Sequence, residues 1–213
     1  MGSYTITRTK TYTYLGIIVD EKFSWFDHIN EICIKLSQAA GVIFKMRTLL
    51  SRYALMLLYH SLVGQKLRYG LICWATAPKL LLNKVNVIHD KIIRYMTFSK
   101  SCSRVWPLYC QLNLQPLEIL MELEWGKMMY KYQNHMLPPA FDTYFTRPRH
   151  HHATRYANTN NFEQVRTSTV KERTLLKYLG PKKWSDIPTH IKNVPHLGTF
   201  KKLFSDYLSD IYS

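Results

Sequence analysis

The sequence predicts a mainly α protein: a helical bundle with a short N-terminal β element and a helical C-terminal region that contains a long basic loop. Three observations predict it. Apolar residues recur at steps of three and four over several long stretches, β-rich sequence is confined to the neighbourhood of residues 12–19, and residues 142–170 are polar, basic and poor in aliphatics. With 46% hydrophobic and 14% aromatic residues in 213 positions, the chain has the material for a buried core.

The β element lies in YTYLGIIVDEKFSWFDHI, which begins at Tyr12. Tyr12, Tyr14, Ile17, Ile18 and Val19 favour a strand, Gly16 marks a bend or a close approach, and Asp20-Glu21-Lys22 reads as a turn. From Trp25 to Met46, the positions Ile29, Ile32, Cys33, Leu36, Ala39, Ala40 and Ile43 trace one face of a long helix. Ser51 caps a second helix carrying Ala54, Leu55, Leu58, Tyr59 and Leu62. KLRYGLICWA is either a buried helix or a short extended run, because periodicity does not separate the two. Pro78 opens another helix with Leu81, Leu82, Val85, Ile88, Ile92, Ile93 and Met96 inward. Residues 99–104 are polar and read as a loop.

Pro116 starts the next helix through Leu117, Leu120, Met121, Met128 and Tyr132, and Pro138-Pro139 ends it. After the basic loop comes LGPKKWSDIPTHIKNV, in which Trp184 reads as a core residue. Thr199 is expected to cap a last helix with Phe200, Leu203, Phe204, Tyr207, Leu208 and Ile211 on one face.

The charge balance narrows the function classes. Lys and Arg number 29 against 14 Asp and Glu, a formal net charge of +15. A folded domain this basic repels itself, and a polyanionic partner relieves that by charge neutralisation and counterion release. No acidic residue lies between Glu31 and Asp90, where Lys45, Arg47 and Arg52 make a local knob and Lys66 and Arg68 follow. A second basic run comprises Arg147, Arg149, Arg155, Arg166, Lys171, Arg173, Lys177, Lys182 and Lys183, against only Glu163 and Glu172. Tyr144, Phe145, Tyr156, Phe162, Tyr178 and Trp184 are interleaved with it. Cations that track phosphates and rings that stack on bases suit single-stranded or hybrid nucleic acid, whereas core packing is the competing role of each ring.

No two carboxylates are spaced to share divalent ions, and Asp20-Glu21 reads as a solvated turn pair. Nucleophile-elbow, P-loop and zinc-protease patterns are missing from the sequence. His150-His151-His152 are adjacent and lack a cysteine at knuckle spacing, so they read as polar or stacking contacts, and no metal or cofactor is expected. The four cysteines are widely spaced and read as reduced, with Cys33 and Cys73 in the core. Met1-Gly2-Ser3 reads as an expression scar. A soluble, intracellular protein of nucleus and cytoplasm, with no membrane partner, is the expectation.

The same residues resemble a known family. YLGIIVDEKFSWFDHI, LLYHSLVGQKLRYGLICW and KVNVIHDKIIRYM resemble, in that order, the region after the catalytic motif in reverse transcriptases of LINE-type (non-LTR) retrotransposons. LGPKKWSDIPTHIKNV and FKKLFSDYL resemble the end of those reading frames, so the likeness runs from about Tyr12 to Tyr207. The resemblance implies that Tyr14, Leu15 and Gly16 belong to the primer grip at the end of the palm, within residues 1–25. It implies a helical thumb over residues 26–98, holding the template–primer duplex. Residues 99–213 would then be the basic C-terminal region that engages element RNA and target DNA.

The fingers, the Tyr/Phe-x-Asp-Asp metal site, the endonuclease and the Cys/His knuckle of some relatives are not in this sequence. The expectation is therefore a non-catalytic part of a reverse transcriptase that grips template RNA and primer during target-primed reverse transcription. RNA, RNA–DNA hybrid or DNA would be the partner. The alternative is a domesticated retroelement fragment serving as a protein-interaction or structural module. An unpaired strand edge at Tyr12–Val19 can also join a second copy, so a homodimer through that strand is a further expected partner.

Overall fold

The computed structural model describes residues 8–147, 161–169 and 171–212. These are mainly helical, with one two-stranded antiparallel sheet near the N-terminus. Contacts divide the chain into two compact units between Leu117 and Glu118.

In the first unit, the single strand expected from Tyr12 to Val19 is instead a hairpin. Strand β1 (Thr11–Tyr14) pairs with β2 (Ile17–Asp20), with Thr11 opposite Asp20 and Tyr14 opposite Ile17. Leu15 and Gly16 form the two-residue turn at φ values of 47° and 77°, the positive-φ pair whose twist matches paired strands. Glycine adopts this conformation freely, while Leu15 is held there by Tyr69, whose hydroxyl donates to the Leu15 carbonyl.

Asp20 is more than a solvated turn residue. Its carboxylate accepts from the amides of Lys22 at 2.9 Å, Ser24 at 2.8 Å and Trp25 at 3.0 Å. Burial opposes the charge, but these amides outweigh it and hold the Asp20 carboxyl below the usual range. The turn so fixed carries Phe23 and Trp25 at positive φ and feeds helix α1 (Phe26–Met46).

Helix α1 buries Ile29, Ile32, Leu36, Ala39, Ala40 and Ile43, together with His28. Its main partner is α5 (Lys79–Met96), which buries Leu81, Leu82, Val85, His89, Ile92, Ile93 and Met96. Lys84 lies over the Phe26 ring at one end and Phe44 meets Tyr95 at the other, so the two helices run parallel.

Between them, Ser51 caps α2 (Arg52–Tyr59) by accepting from the Ala54 amide at 3.3 Å. The helix then widens into a π-helical turn, His60–Gly64, and tightens again into α3 (Gln65–Arg68). KLRYGLICWA resolves as helical on both sides of a break. Gly70, at φ 59°, separates α3 from α4 (Leu71–Trp74). A further helix, α6 (Trp106–Leu112), forms where the sequence reading assigned nothing. Cys73 lies on the surface and not in the core, and Cys33 is half-buried.

In the second unit, α7 (Leu117–Gln133) follows Pro116 but ends well before Pro138-Pro139. Ile119, Leu120, Trp125, Met129 and Tyr130 are all buried, so α7 is covered on more than the one face expected, and Met121, Met128 and Tyr132 are only half-buried. Two 3₁₀ turns, Pro139–Phe141 and Glu172–Thr174, precede α8 (Leu176–Ser185), α9 (Thr189–Lys192) and α10 (Leu197–Tyr212).

Thr199 does not cap the last helix. The helix begins at Leu197, and Phe200 donates its amide to the His196 carbonyl because Pro195 has already broken the chain upstream. Phe200, Phe204 and Leu208 are buried, whereas Leu203 and Ile211 are exposed. Trp184 is fully buried, as expected, with Phe200 beside it.

Gly126 on α7 is where α10 approaches. A Cβ there would run into the Phe204 ring, with Cδ1 only 2.8 Å away. Gly126→Ala is therefore expected to destabilise the fold by about 2 kcal/mol, despite the ~1 kcal/mol Ala gains in helix propensity. Urea unfolding followed by far-UV circular dichroism measures this; an unchanged or raised midpoint would contradict the packing.

Candidate nucleic-acid interface

Two adjoining depressions mark the first unit. One, of about 280 Å³, is lined by Gly16, His28, Ile32, Lys35, Lys66 and Tyr69, among others. The second, shallower, of about 650 Å³, shares Gln65 and Tyr69 with it and adds His60, Ser61, Gly64 and Arg68. The hairpin turn, the first half of α1 and the α2–α3 run thus border two open depressions that join at Gln65 and Tyr69 to form a shallow groove. The π-helical turn places His60 and Gly64 in its wall, with the Arg68 guanidinium packed close to Gly64.

Lys66 and Arg68 are exposed. Lys35 is paired with Glu31, a link that is weak at an exposed site and open to exchange for a phosphate. Burial holds the His28 imidazole below its ordinary range, with Glu31 opposing and Lys35 reinforcing, so the ring accepts the Ile18 amide at 3.3 Å as a neutral group.

The predicted residues separate into those at the groove and those elsewhere. Gly16, Lys66 and Arg68 are brought together there. Tyr14 and Leu15 flank it on the exposed hairpin end. Lys45 is exposed on the last turn of α1. Arg47 lies over the rings of Phe44, Phe98 and Tyr95, while Arg52 donates to the Gln111 carbonyl at 2.7 Å. These two arginines of the expected knob therefore also hold local structure.

In the second unit, Lys183 pairs with Glu122, and Lys182 lies over the Tyr178 ring. Arg147 is stacked over Phe162. Arg166, Lys171, Arg173 and Lys177 are exposed. Arg149, Arg155, Tyr156 and His150 to His152 lie outside the described residues. Phe145 and Phe162 are 7% and 2% exposed and pack on Tyr132. They belong to the core, as Trp184 does in line with its expected core role, so packing rather than stacking on bases occupies Phe145 and Phe162.

Glu172 accepts from the Ser168 and Thr169 amides, and Thr169 accepts from the Glu172 amide. This reciprocal cap fixes the start of the segment carrying Lys171, Arg173 and Lys177.

Several residues escaped the sequence reading. Tyr69 lies between Arg68 and Gly70 and looks in sequence like one more apolar position, but its ring forms the floor under Gly16. Lys192 is 2% exposed: its ammonium donates to Asn161 Oδ1 at 2.9 Å and lies over Trp184. Burial, opposed by Asp186, pushes it down to about 8. In sequence it is one lysine among many.

Among the described residues, no group of three His, Cys, Asp or Glu could hold a metal ion, and no helix is long and apolar enough to cross a membrane. Set against known protein families, curated proteins and solved structures, the chain matches none of them.

Proposed function

We propose that this chain binds nucleic acid without catalysing a reaction on it, as the thumb and C-terminal region of a non-LTR retrotransposon reverse transcriptase. In this reading the groove of the first unit holds the phosphate backbone of a template RNA and its primer. Lys66, Arg68 and Lys35 neutralise phosphates, and Gly16 lets the strand approach the hairpin closely. The second unit carries exposed cations of its own, Arg166, Lys171, Arg173 and Lys177, which contact phosphates by the same chemistry.

One observation carries the reading. Gly16, which the family resemblance assigns to the primer grip, and Lys66 and Arg68, two of the cations that the charge balance picks out, line adjoining depressions that share Tyr69. Hydrogen exchange with and without an RNA–DNA hybrid tests it: slowed amide exchange is expected in residues 57–69, and uniform exchange there would contradict it.

A second reading, a protein-interaction module, draws on the hairpin end. Tyr12, Tyr14 and Leu15 are each more than 60% exposed, apolar surface at one hairpin end suited to a protein partner or a second copy. Light scattering of the intact chain and of Tyr12→Lys/Tyr14→Lys separates the cases: a dimer that the double variant dissolves favours self-association, and a monomer in both removes it.

A further inference from the structure

The parallel helices α1 and α5 end side by side, and their last turns bring an arginine and three rings together. The Arg47 guanidinium carbon lies 4.2 Å from the centroid of Phe44, 4.9 Å from that of Phe98 and 5.7 Å from that of Tyr95. Its Nη1 also donates to the Tyr95 carbonyl at 3.4 Å, which fixes it in this position. Phe44 and Phe98 are nevertheless 46% and 59% exposed. Arg47 covers part of each ring and Tyr95 packs against Phe44 with centroids 4.8 Å apart, so the exposure is of the remaining ring surface.

Phe98 is also conformationally out of place. It sits at φ 55°, the left-handed position that closes α5, while the next amide, from Ser99, returns to the Arg94 carbonyl at 3.0 Å. Glycine is the residue this helix ending favours, and a large exposed ring there is strained. Folding does not require it, and its wide exposure shows that it is not filling a core.

We infer that Phe44, Phe98, Tyr95 and Arg47 form a platform on which unpaired bases of single-stranded nucleic acid stack. This rests on the nucleic-acid reading above and locates within it the site for unpaired strand, apart from the duplex-holding groove. The chemistry is that of a base: a ring already polarised by a guanidinium offers its remaining surface to a second π-system.

The charge around the platform fits a polyanionic strand. Lys91 lies 5.7 Å from the Tyr95 ring, Lys45 adjoins Phe44 and Lys100 follows Phe98 by two residues, all exposed. Asp90 is the one carboxylate of α5, and it accepts from Tyr109. Duplex bases are stacked on each other and cannot use the rings. An acidic peptide would engage the lysines and leave the rings idle.

The test compares a labelled oligoadenylate with a blunt duplex of the same length on wild type, Phe44→Ala and Phe98→Gly, by fluorescence anisotropy. Each variant is expected to lose about tenfold in single-strand affinity with duplex affinity unchanged. Phe98→Gly should also keep the wild-type melting temperature, since relief of the strained backbone offsets the lost ring contact, so its binding loss cannot be ascribed to unfolding. Single-strand affinity unchanged in both variants overturns the platform while leaving the groove intact, and so does an equal loss on both nucleic acids. Wild type that binds neither overturns the functional reading and the platform with it.

Discussion

Replacing Lys66 with glutamate and Arg68 with glutamine is expected to weaken binding to an RNA–DNA hybrid about hundredfold, with the helical circular dichroism spectrum unchanged. The magnitude follows from two charge-assisted phosphate contacts of about 1.5 kcal/mol each, together roughly two factors of ten. Both side chains are exposed and no packing depends on the Lys66 ammonium. Glutamine at 68 keeps a polar side chain there without placing a carboxylate near His89.

The salt dependence supplies a second signature. Removing two phosphate contacts should lower the slope of log affinity against log salt by about 2, uniformly across sequences. The corresponding change at Arg47 and Arg52 is less informative, because one is stacked on three rings and the other holds the Gln111 carbonyl. A loss of binding there would mix charge with structure. An unchanged affinity in Lys66→Glu/Arg68→Gln would remove the groove from the account.

His89→Leu is expected to destabilise the fold by about 3 kcal/mol and to change its acid response. His89 is fully buried, with Tyr59 Oη 2.7 Å from Nε2 and Tyr109 Oη 3.0 Å from Nδ1. Tyr109 donates its proton to Asp90 Oδ1 at 3.0 Å, so its oxygen accepts from Nδ1–H, and Nε2 in turn accepts the Tyr59 hydroxyl. One tautomer of a neutral ring satisfies the whole chain and ties α2, α5 and α6 together. Leucine leaves the Tyr59 hydroxyl buried without this acceptor and takes a donor from Tyr109, losses of about 1–3 kcal/mol each.

The pH dependence has a definite sign. Burial, reinforced by Arg68, pushes His89 down to about 3 from an unfolded value of 6.5. Above 6.5 both states are neutral and the ring's contribution is fully present. As pH falls from 6.5 toward 3 the unfolded chain binds a proton the folded one refuses, and stability drops by about 1.4 kcal/mol per pH unit. His28, also lowered by burial, acts in the same direction. Asp90, raised by burial against the pull of Tyr109 and Arg94, acts oppositely but only as pH enters the carboxylate range. Urea unfolding at pH 7, 6 and 5 should show the slope in His89→Leu reduced by one proton's worth; an identical slope would contradict the buried neutral ring.

The helices were legible in the sequence where one face alone is buried. Helix α1 and helix α5 declare themselves by apolar steps of three and four, Pro78 marks the start of α5 and Ser51 that of α2, as local chemistry requires. Helix α7 was misread in its faces because burial on several sides erases the periodicity, leaving Trp125 and Tyr130 indistinguishable from surface aromatics. The hairpin was hidden because its turn is Leu15-Gly16, and a leucine at positive φ is stabilised by Tyr69, far along the chain.

The candidate site was legible only as charge. Lys66, Arg68 and Gly16 could be singled out, but the ring of Tyr69 that joins them could not. The knob at Lys45, Arg47 and Arg52 looked like three equal cations. Only its three-dimensional surroundings show that Arg47 is the centre of an aromatic cluster that joins Phe44 to Tyr95 and Phe98, about fifty residues further along the chain. Likewise the rings of Phe145 and Phe162 looked available beside Arg147, because a loop-like sequence does not reveal that they anchor a core.

The most direct test of the account is fluorescence anisotropy of the intact chain with labelled single-stranded RNA, RNA–DNA hybrid and duplex DNA across a salt titration. Binding that weakens steeply with salt, shows little sequence preference, and favours RNA or hybrid over duplex DNA is the predicted result. No binding of any of the three at low salt would contradict it, and would leave the exposed hairpin end as the functional surface to pursue.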